Sequence, residues 1–179
     1  MFVWLGCAPA RAQTAPTPLP PGAPRIEEVR PKAEAGDADA QYKLALIYEN
    51  GIGVEPSPRE AFAWYEKAIR QGHVEAMTAL GDMYFDGAGS EPDPSMATFW
   101  YLKAADKGHA NAQAKIGYAY AIGLAVQQDS ALAYYWLTRA VREGEETVRP
   151  LLERVKNVLD ADEAARARRL FDEAGLPQP

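Results

Sequence analysis

Apolar residues return along this chain in the three- and four-residue steps of a helix, and they do so in blocks that repeat. Ala40, Leu44 and Ile47-Tyr48 form one stripe, which comes back as Ala76, Leu80 and Met83-Tyr84 and again as Ala112, Ile116 and Ala119-Tyr120. After each stands a second stripe: Ala61, Trp64, Tyr65 and Ala68, then Ala97, Trp100, Tyr101 and Ala104, then Ala133, Trp136, Leu137 and Ala140. Gly36, Gly72, Gly108 and Gly144 are 36 residues apart, as are the three tryptophans, so the pattern predicts helix pairs in tandem. Ala45, Gly81 and Gly117 share one position beside the first stripe, where a small residue lets a neighbouring helix come close.

Helix ends are marked with the same regularity. Gly51, Gly87 and Gly123 suit a left-handed cap; Gly53 and Gly89 follow in the loop, with Ala125 as the departure. Ser57, Asp93 and Asp129 stand where an N-cap is expected, followed by Pro58, Pro94 and Ser130, and Ser57 with Glu60 has capping-box spacing. In the last turns Lys67 and Arg70, Lys103 and Lys107, and Arg139 and Arg142 are expected to meet the exposed carbonyls. The tryptophans are expected in the core, which makes Trp100→Ala the costliest substitution, at about 3–5 kcal/mol.

Three repeats therefore occupy 36–71, 72–107 and 108–143. Residues 25–35, with Ile26, Val29 and Ala33 in step, predict a capping helix broken or restarted at Pro31. Residues 144–175 hold a degenerate repeat and C-terminal capping helices. There Pro150 interrupts, Leu152, Val155, Val158 and Leu159 sustain a stripe, and a last helix runs from about Asp162, its cap, to Ala174. Arg166, Arg168 and Arg169 read as a solvated face rather than a phosphate site. The proline-rich residues 13–24 read as a linker in preference to a ligand motif.

Residues 1–12 read as the remnant of a signal peptide: Phe2 to Leu5 are apolar, and Ala10-Arg11-Ala12 before Gln13 fits a small-residue cleavage site. A basic start is absent, so an apolar tail is the alternative. Leu5-Gly6-Cys7 resembles a bacterial lipobox with Trp4 where a small aliphatic is usual, which makes a lipid anchor at Cys7 the lesser alternative. The expectation is an exported protein, periplasmic or envelope-associated.

Composition narrows the chemistry. A hydrophobic fraction of 47% over 179 residues suits one domain with tails, and a net charge of -6 argues against nucleic acid as a partner. The single cysteine, Cys7, leaves no disulfide framework and no multi-cysteine metal site, and no apolar run reaches the roughly 18 residues of a membrane span. His73 and His109 both follow the repeat glycine, at the position of Asp37; helix-start or packing roles are preferred there to a metal site. No serine stands in a nucleophile elbow, and the paired loop glycines follow helices and not strands. No catalytic residue, metal or cofactor is expected, and the chain is read as a non-enzyme.

Gly36-Asp37-Ala38-Asp39-Ala40-Gln41-Tyr42-Lys43-Leu44, Tyr48, Asn50-Gly51-Ile52-Gly53-Val54 and Ala63-Trp64-Tyr65-Glu66-Lys67-Ala68 resemble the Sel-one-like repeat, a relative of the tetratricopeptide repeat. The resemblance covers about Gly36 to Gly144, departing at Ser90, Ala125 and Leu137. It implies an all-α fold, a right-handed α/α solenoid of tandem helix-turn-helix repeats, acting as a noncatalytic scaffold or adaptor for proteins or peptides, often in bacterial envelope settings. Placing Leu44, Ala45 and Tyr48 on the tetratricopeptide core positions puts Asp39, Tyr42, Leu46, Glu49 and Asn50 on the concave face, with Glu75, Thr78, Asp82, Phe85 and Asp86 in the second repeat. In the third the same places hold Asn111, Ala114, Tyr118, Ala121 and Ile122. The implied partner is a protein or peptide segment with basic groups and an apolar anchor, set against the alternative of a merely solvated face. Two other classes are weighed: a hydrolase acting on β-lactams, whose relatives are cysteine-rich as this chain is not, and a cell-wall glycan-binding module, which needs exposed aromatics. The sequence carries no signal of oligomeric state.

Overall fold

A computed structural model describes residues 25–178. Among them are nine α-helices: α1 (Ile26–Glu34), α2 (Ala38–Asn50), α3 (Pro58–Arg70), α4 (Val74–Asp86), α5 (Pro94–Asp106), α6 (Ala110–Ile122), α7 (Ser130–Arg142), α8 (Arg149–Val158) and α9 (Ala161–Glu173), with one 3₁₀ turn at Glu146–Val148. The leader, linker and Cys7 readings fall outside the described residues. The chain divides into two compact units between Asp93 and Pro94, a boundary inside the second repeat. In the first unit α1 packs on α2, α2 on α3 and α3 on α4; in the second α5 packs on α6, α6 on α7, and α7 on α8 and α9.

The predicted caps form these helices. Gly51, Gly87 and Gly123 follow α2, α4 and α6 with φ of 63°, 70° and 73°, a conformation open to glycine because it lacks a Cβ. Each loop is then closed by one bond, in which the N–H of Ser57, Asp93 or Asp129 donates to the carbonyl of Tyr48, Tyr84 or Tyr120. Ala125 adopts φ 55° where the first loop has Gly53 at 68°, so the third loop keeps the turn against the preference of its side chain. Ser57 caps α3 through Glu60 N–H and Asp129 caps α7 through Leu132 N–H. The full reciprocal capping box lies elsewhere, at Asp160 and Glu163, which corrects the last helix: its cap is Asp160, two residues before Asp162.

Two proline expectations also change. α1 runs through Pro31 without a break, since one missing donor in a short helix costs less than losing Val29 and Ala33 from the core they share with Leu44 and Ile47. Pro150 starts α8 instead of interrupting it, in the first turn where its N–H is not needed.

The largest correction concerns the tryptophans. In α3 the fully buried stripe is Ala61, Tyr65 and Ala68, and in α5 it is Ala97, Tyr101 and Ala104, while Trp64 and Trp100 lie at the margin, half-buried. From that margin Trp64 packs onto the core of Val29, Leu44 and Ile47, and the Trp100 indole nitrogen is buried without a hydrogen-bond partner. Trp136 is the buried one, at 6% exposure, on α7 where α9 also packs and where Phe171 meets the neighbouring Tyr135 ring at 5.0 Å. Several of the basic last-turn residues lie over rings instead of carbonyls: Lys67 Nζ sits 3.4 Å from the Trp64 ring centre, the Arg139 guanidinium 4.8 Å from that of Trp136, and Lys103 Nζ 5.5 Å from that of Phe99. Arg142 reaches past its helix end to the carbonyls of Pro177 and Gln178. Arg166, expected on a solvated face, pairs with Asp129, tying α9 to the start of α7.

Gly117 bears out the close-approach reading. A Cβ there would lie 2.7 Å from Leu137 Cγ and 3.0 Å from its backbone nitrogen, so α6 and α7 are in contact at this point. Leu137, the departure from the aromatic of the other repeats, fills the space left by the absent side chain.

Candidate functional site

α2 and α4 carry the first two groups of predicted lining residues, and both belong to the first unit. From α2, Asp39 and Asn50 are exposed and Tyr42, Leu46 and Glu49 half-buried; from α4, Glu75 and Asp86 are exposed and Asp82 and Phe85 half-buried. Thr78 is the correction in this group, buried at 5% exposure, and Ala114 at the same repeat position is buried at 6%. The reason is length: the Tyr42 ring projects beyond its neighbours at this position, whereas a threonine or alanine side chain ends beneath them. Asn50 Nδ2 donates to the Leu46 carbonyl at the end of α2.

Rings join the two helices. Tyr42 stacks on His73 with ring centres 4.6 Å apart and 27° between planes, and Tyr65 of α3 lies 5.9 Å from Tyr42. His73 Nδ1 accepts the Ala76 N–H at 3.2 Å, capping α4, and its Nε2 is 3.3 Å from Asp39 Oδ1. Of the two roles considered for His73, both are filled: it starts a helix and packs on a ring. Tyr65 donates its hydroxyl proton to Glu49 Oε2 at 2.5 Å, a bond that ties α3 to α2 beneath the face.

These groups lie in a field of carboxylates. Burial raises the Glu49 carboxyl; the Tyr65 hydrogen bond opposes this, and the charges of Asp82 and Asp86 add to the rise. The Tyr42 phenol is pushed up by burial and then by Glu75, Glu49 and Asp82. Burial, with the charge and hydrogen bond of Glu49 behind it, holds Tyr65 protonated well beyond the ordinary phenol range. Asp82 and Glu75 from α4 thus act on groups of α2. The structure brings Asp39, Tyr42, Glu49, Glu75, Asp82 and Asp86 into one electrostatic neighbourhood.

The third-repeat residues sit on α6 of the second unit. Asn111 is exposed, Tyr118 half-buried, and Ile122 is 51% exposed, while Ala121 packs against the cluster of Leu137, Leu152 and Val155 and so belongs to that core. Repeat position marks Tyr65 as core and His73 as a helix start or packing residue; what it does not reveal is that Tyr65 holds Glu49 and His73 stacks on Tyr42. The i, i+3 relation of His73 to Ala76 carried part of that signal.

Among the described residues no group of three histidine, cysteine, aspartate or glutamate side chains is arranged to hold a metal ion, and no helix is long and apolar enough to cross a membrane.

The family model described as Sel1 repeat matches residues 38–73, 74–109 and 110–145. Among solved structures, a Sel1 repeat protein from Oxalobacter formigenes is similar at 34% identity, with a TM-score of 0.65 over 72% of this chain and 96% of that one. A protective antigen present in uropathogenic Escherichia coli strains, displaying an SLR fold, is similar at 26% identity with a TM-score of 0.53, over 83% of this chain and 40% of that chain. Cysteine rich protein B of Helicobacter pylori shares the fold at 21% identity, with a TM-score of 0.57 over 71% of this chain and 91% of that chain. The fold class is accordingly an all-α solenoid of tandem helix-turn-helix repeats.

Proposed function

Because the chain belongs to the Sel1 repeat family, we propose that it is a protein-interaction scaffold whose first unit holds a peptide or protein segment bearing basic groups beside an apolar anchor. The observation that carries this is the gathering of Glu49, Glu75 and Asp82 about the Tyr42 phenol, with Asp86 acting on Glu49 and Asp39 beside the His73 ring that stacks on Tyr42. Carboxylates in this number draw a cationic segment from a distance, and an aromatic face adds attraction for an ammonium or guanidinium group laid on it. Leu46 and Phe85, half-buried on the same two helices, offer apolar surface for the anchor. The setting proposed with it is the cell envelope, supported by the leader-like pattern of residues 1–12. A glycan-binding reading gains nothing from Trp64, since Lys67 covers the ring face on which a sugar would stack.

The test is calorimetric titration of a peptide alternating lysine with leucine, against the same peptide with glutamate for lysine. The lysine peptide binds, more weakly as salt rises, and the double reversal Asp82→Lys with Asp86→Lys lowers affinity about tenfold or more. Unchanged affinity and salt dependence in that variant would remove the face from consideration. Fractionation of the native cell tests the setting; recovery only from the cytosol counts against it.

A further inference from the structure

The fold fixes the tautomer of His73. Its Nδ1 accepts the Ala76 N–H that caps α4, so the proton of the neutral ring sits on Nε2, facing Asp39 Oδ1 at 3.3 Å. Nδ1 also lies 3.4 Å from Glu75 Oε2. While Nδ1 keeps its lone pair, that carboxylate meets no donor on the ring. A proton added at Nδ1 turns the same approach into an ion pair and takes away the acceptor of the Ala76 N–H. The side chain is only 10% exposed and stacked on Tyr42, so the ring cannot turn away from this exchange without opening the α2 to α4 contact.

The titratable groups facing the ring are few. Asp39 and Tyr42 face it from α2, and Glu75 from its own helix; α3 contributes Tyr65, one ring removed through Tyr42. At the equivalent position of the third repeat, His109 opens α6 with no side-chain cap bond. Capping through an imidazole is therefore a property of the joint at His73 and not of the repeat position.

We propose that His73 is a proton-sensitive joint between α2 and α4. On mild acidification its imidazolium releases the Ala76 N–H, pairs with Glu75 as well as Asp39, and offsets the negative field around Tyr42, so that the face holds a basic segment less firmly. The last step rests on the reading of that face given above. Histidine is the side chain that changes charge in the range of about pH 5 to 8, whereas the lysines and arginines of a basic segment stay charged throughout it, so the host face and not the guest responds.

Two measurements on the full chain separate the joint from the face. In a nuclear magnetic resonance titration from about pH 8 to about pH 5, the His73 Nδ1 resonance moves from an acceptor to a protonated nitrogen. The Ala76 amide shifts with the same midpoint, and its exchange with solvent quickens. An Ala76 amide unmoved through the titration of His73 overturns the joint. In the second, anisotropy of a labelled lysine-leucine peptide shows affinity about fivefold weaker in mild acid than at neutrality for the wild type. It shows a smaller change for His73→Asn, which keeps a capping side chain and cannot titrate, the remainder coming from the Glu49 carboxyl that burial raises. Parallel loss in both proteins overturns the regulatory step. A peptide that binds at neither pH overturns the reading of the face, while the Ala76 titration still decides the joint.

Discussion

Where the first repeat has Ala45 and Tyr65, the third has Gly117 and Leu137, and the two pairs are built differently on one skeleton. In the first, a buried phenol extends to Glu49, bringing a polar bond and a carboxylate to the margin of the core. In the third, Leu137 lies against the bare backbone of Gly117 and nothing polar passes between them. The charges follow the same division. From Arg25 to Asp93 acidic side chains outnumber basic ones two to one, and from Pro94 to Gln178 they balance. One repeat geometry thus supports an acidic unit and a neutral one, and a helix pair tied through a phenol as well as one in bare contact; what differs is the residues just off the stripe.

The largest effect that tests this contrast is at Tyr65. It is 0% exposed and joins α3 to α2 through Glu49, so Tyr65→Ala costs about 3–5 kcal/mol by urea denaturation. Trp64→Ala and Trp100→Ala cost less, because both rings are half-buried and Trp64 is covered on one face by the flexible Lys67 side chain; a larger loss at either tryptophan breaks the account of the stripe. Next is Gly117→Ala, which places a methyl group within 3.0 Å of Leu137 and costs about 1–3 kcal/mol, although alanine is the better helix former. Ala45, buried at the matching position of the first repeat, shows that the cost comes from the Leu137 contact and not from the position.

How much of this could be read from the chain follows from what periodicity encodes. The first-helix stripes, the αL glycines and the caps at Ser57 and Asp129 are local, set by residues a turn apart, and they were legible; the stripe of α8 holds at Leu152 and Val155 but not at Val158, which ends the helix 70% exposed. Trp136 is buried as the pattern predicts, whereas Trp64 and Trp100 are not, because a step of three and a step of four look alike in a repeat. Only packing shows that Tyr65 is fully buried while Trp64 covers the margin of the core of Leu44 and Ile47. Asp160 and Asp162 both precede the last stripe, and only the reciprocal bond with Glu163 marks Asp160 as the cap. Most of the candidate face was named residue by residue, but its supports, Tyr65 and His73, act across helices, where no spacing rule reaches.

The two units also respond to pH in opposite directions. Glu49 is raised by burial against the Tyr65 bond, with Asp82 and Asp86 adding to the rise. Between the ordinary glutamate range and that raised value the folded chain binds more protons than the unfolded one, so stability falls as pH rises through this window. For Asp129 burial alone would raise the carboxyl, but the Leu132 N–H and Arg166 outweigh it and hold it low. Its contribution is complete above the ordinary aspartate range and is lost as pH falls through the lowered folded value. Denaturation at a series of pH values separates them: Glu49→Gln removes the decline at weakly acid pH, and Asp129→Asn removes part of the loss in strong acid. The two variants changing the same limb would contradict the assignment.

The smallest effect is the most specific to the comparison. Gln41 and Gln113 occupy one repeat position, both are buried, and each donates its Nε2 to a carbonyl of the preceding helix, Ala33 or Ala105. The other end differs. Gln41 Oε1 accepts from Gln71 Nε2 at 2.8 Å, while Gln113 Oε1 is buried without a donor. The residue in the place of Gln71 is Glu143, which, like Gln71, ends the second helix of its pair. An ionised carboxylate has no proton to give, so the repeat keeps the glutamine and lacks its partner. Glu143→Gln supplies the donor and stabilises the protein by about 0.5–1.5 kcal/mol, while the mirror change Gln71→Glu costs a similar amount or more in the first unit. Both are read from urea midpoints at neutral pH. If Glu143→Gln leaves the midpoint unchanged while Gln71→Glu lowers it, the third repeat satisfies Gln113 by a route of its own, and the two repeats differ in their polar wiring as well as in their packing.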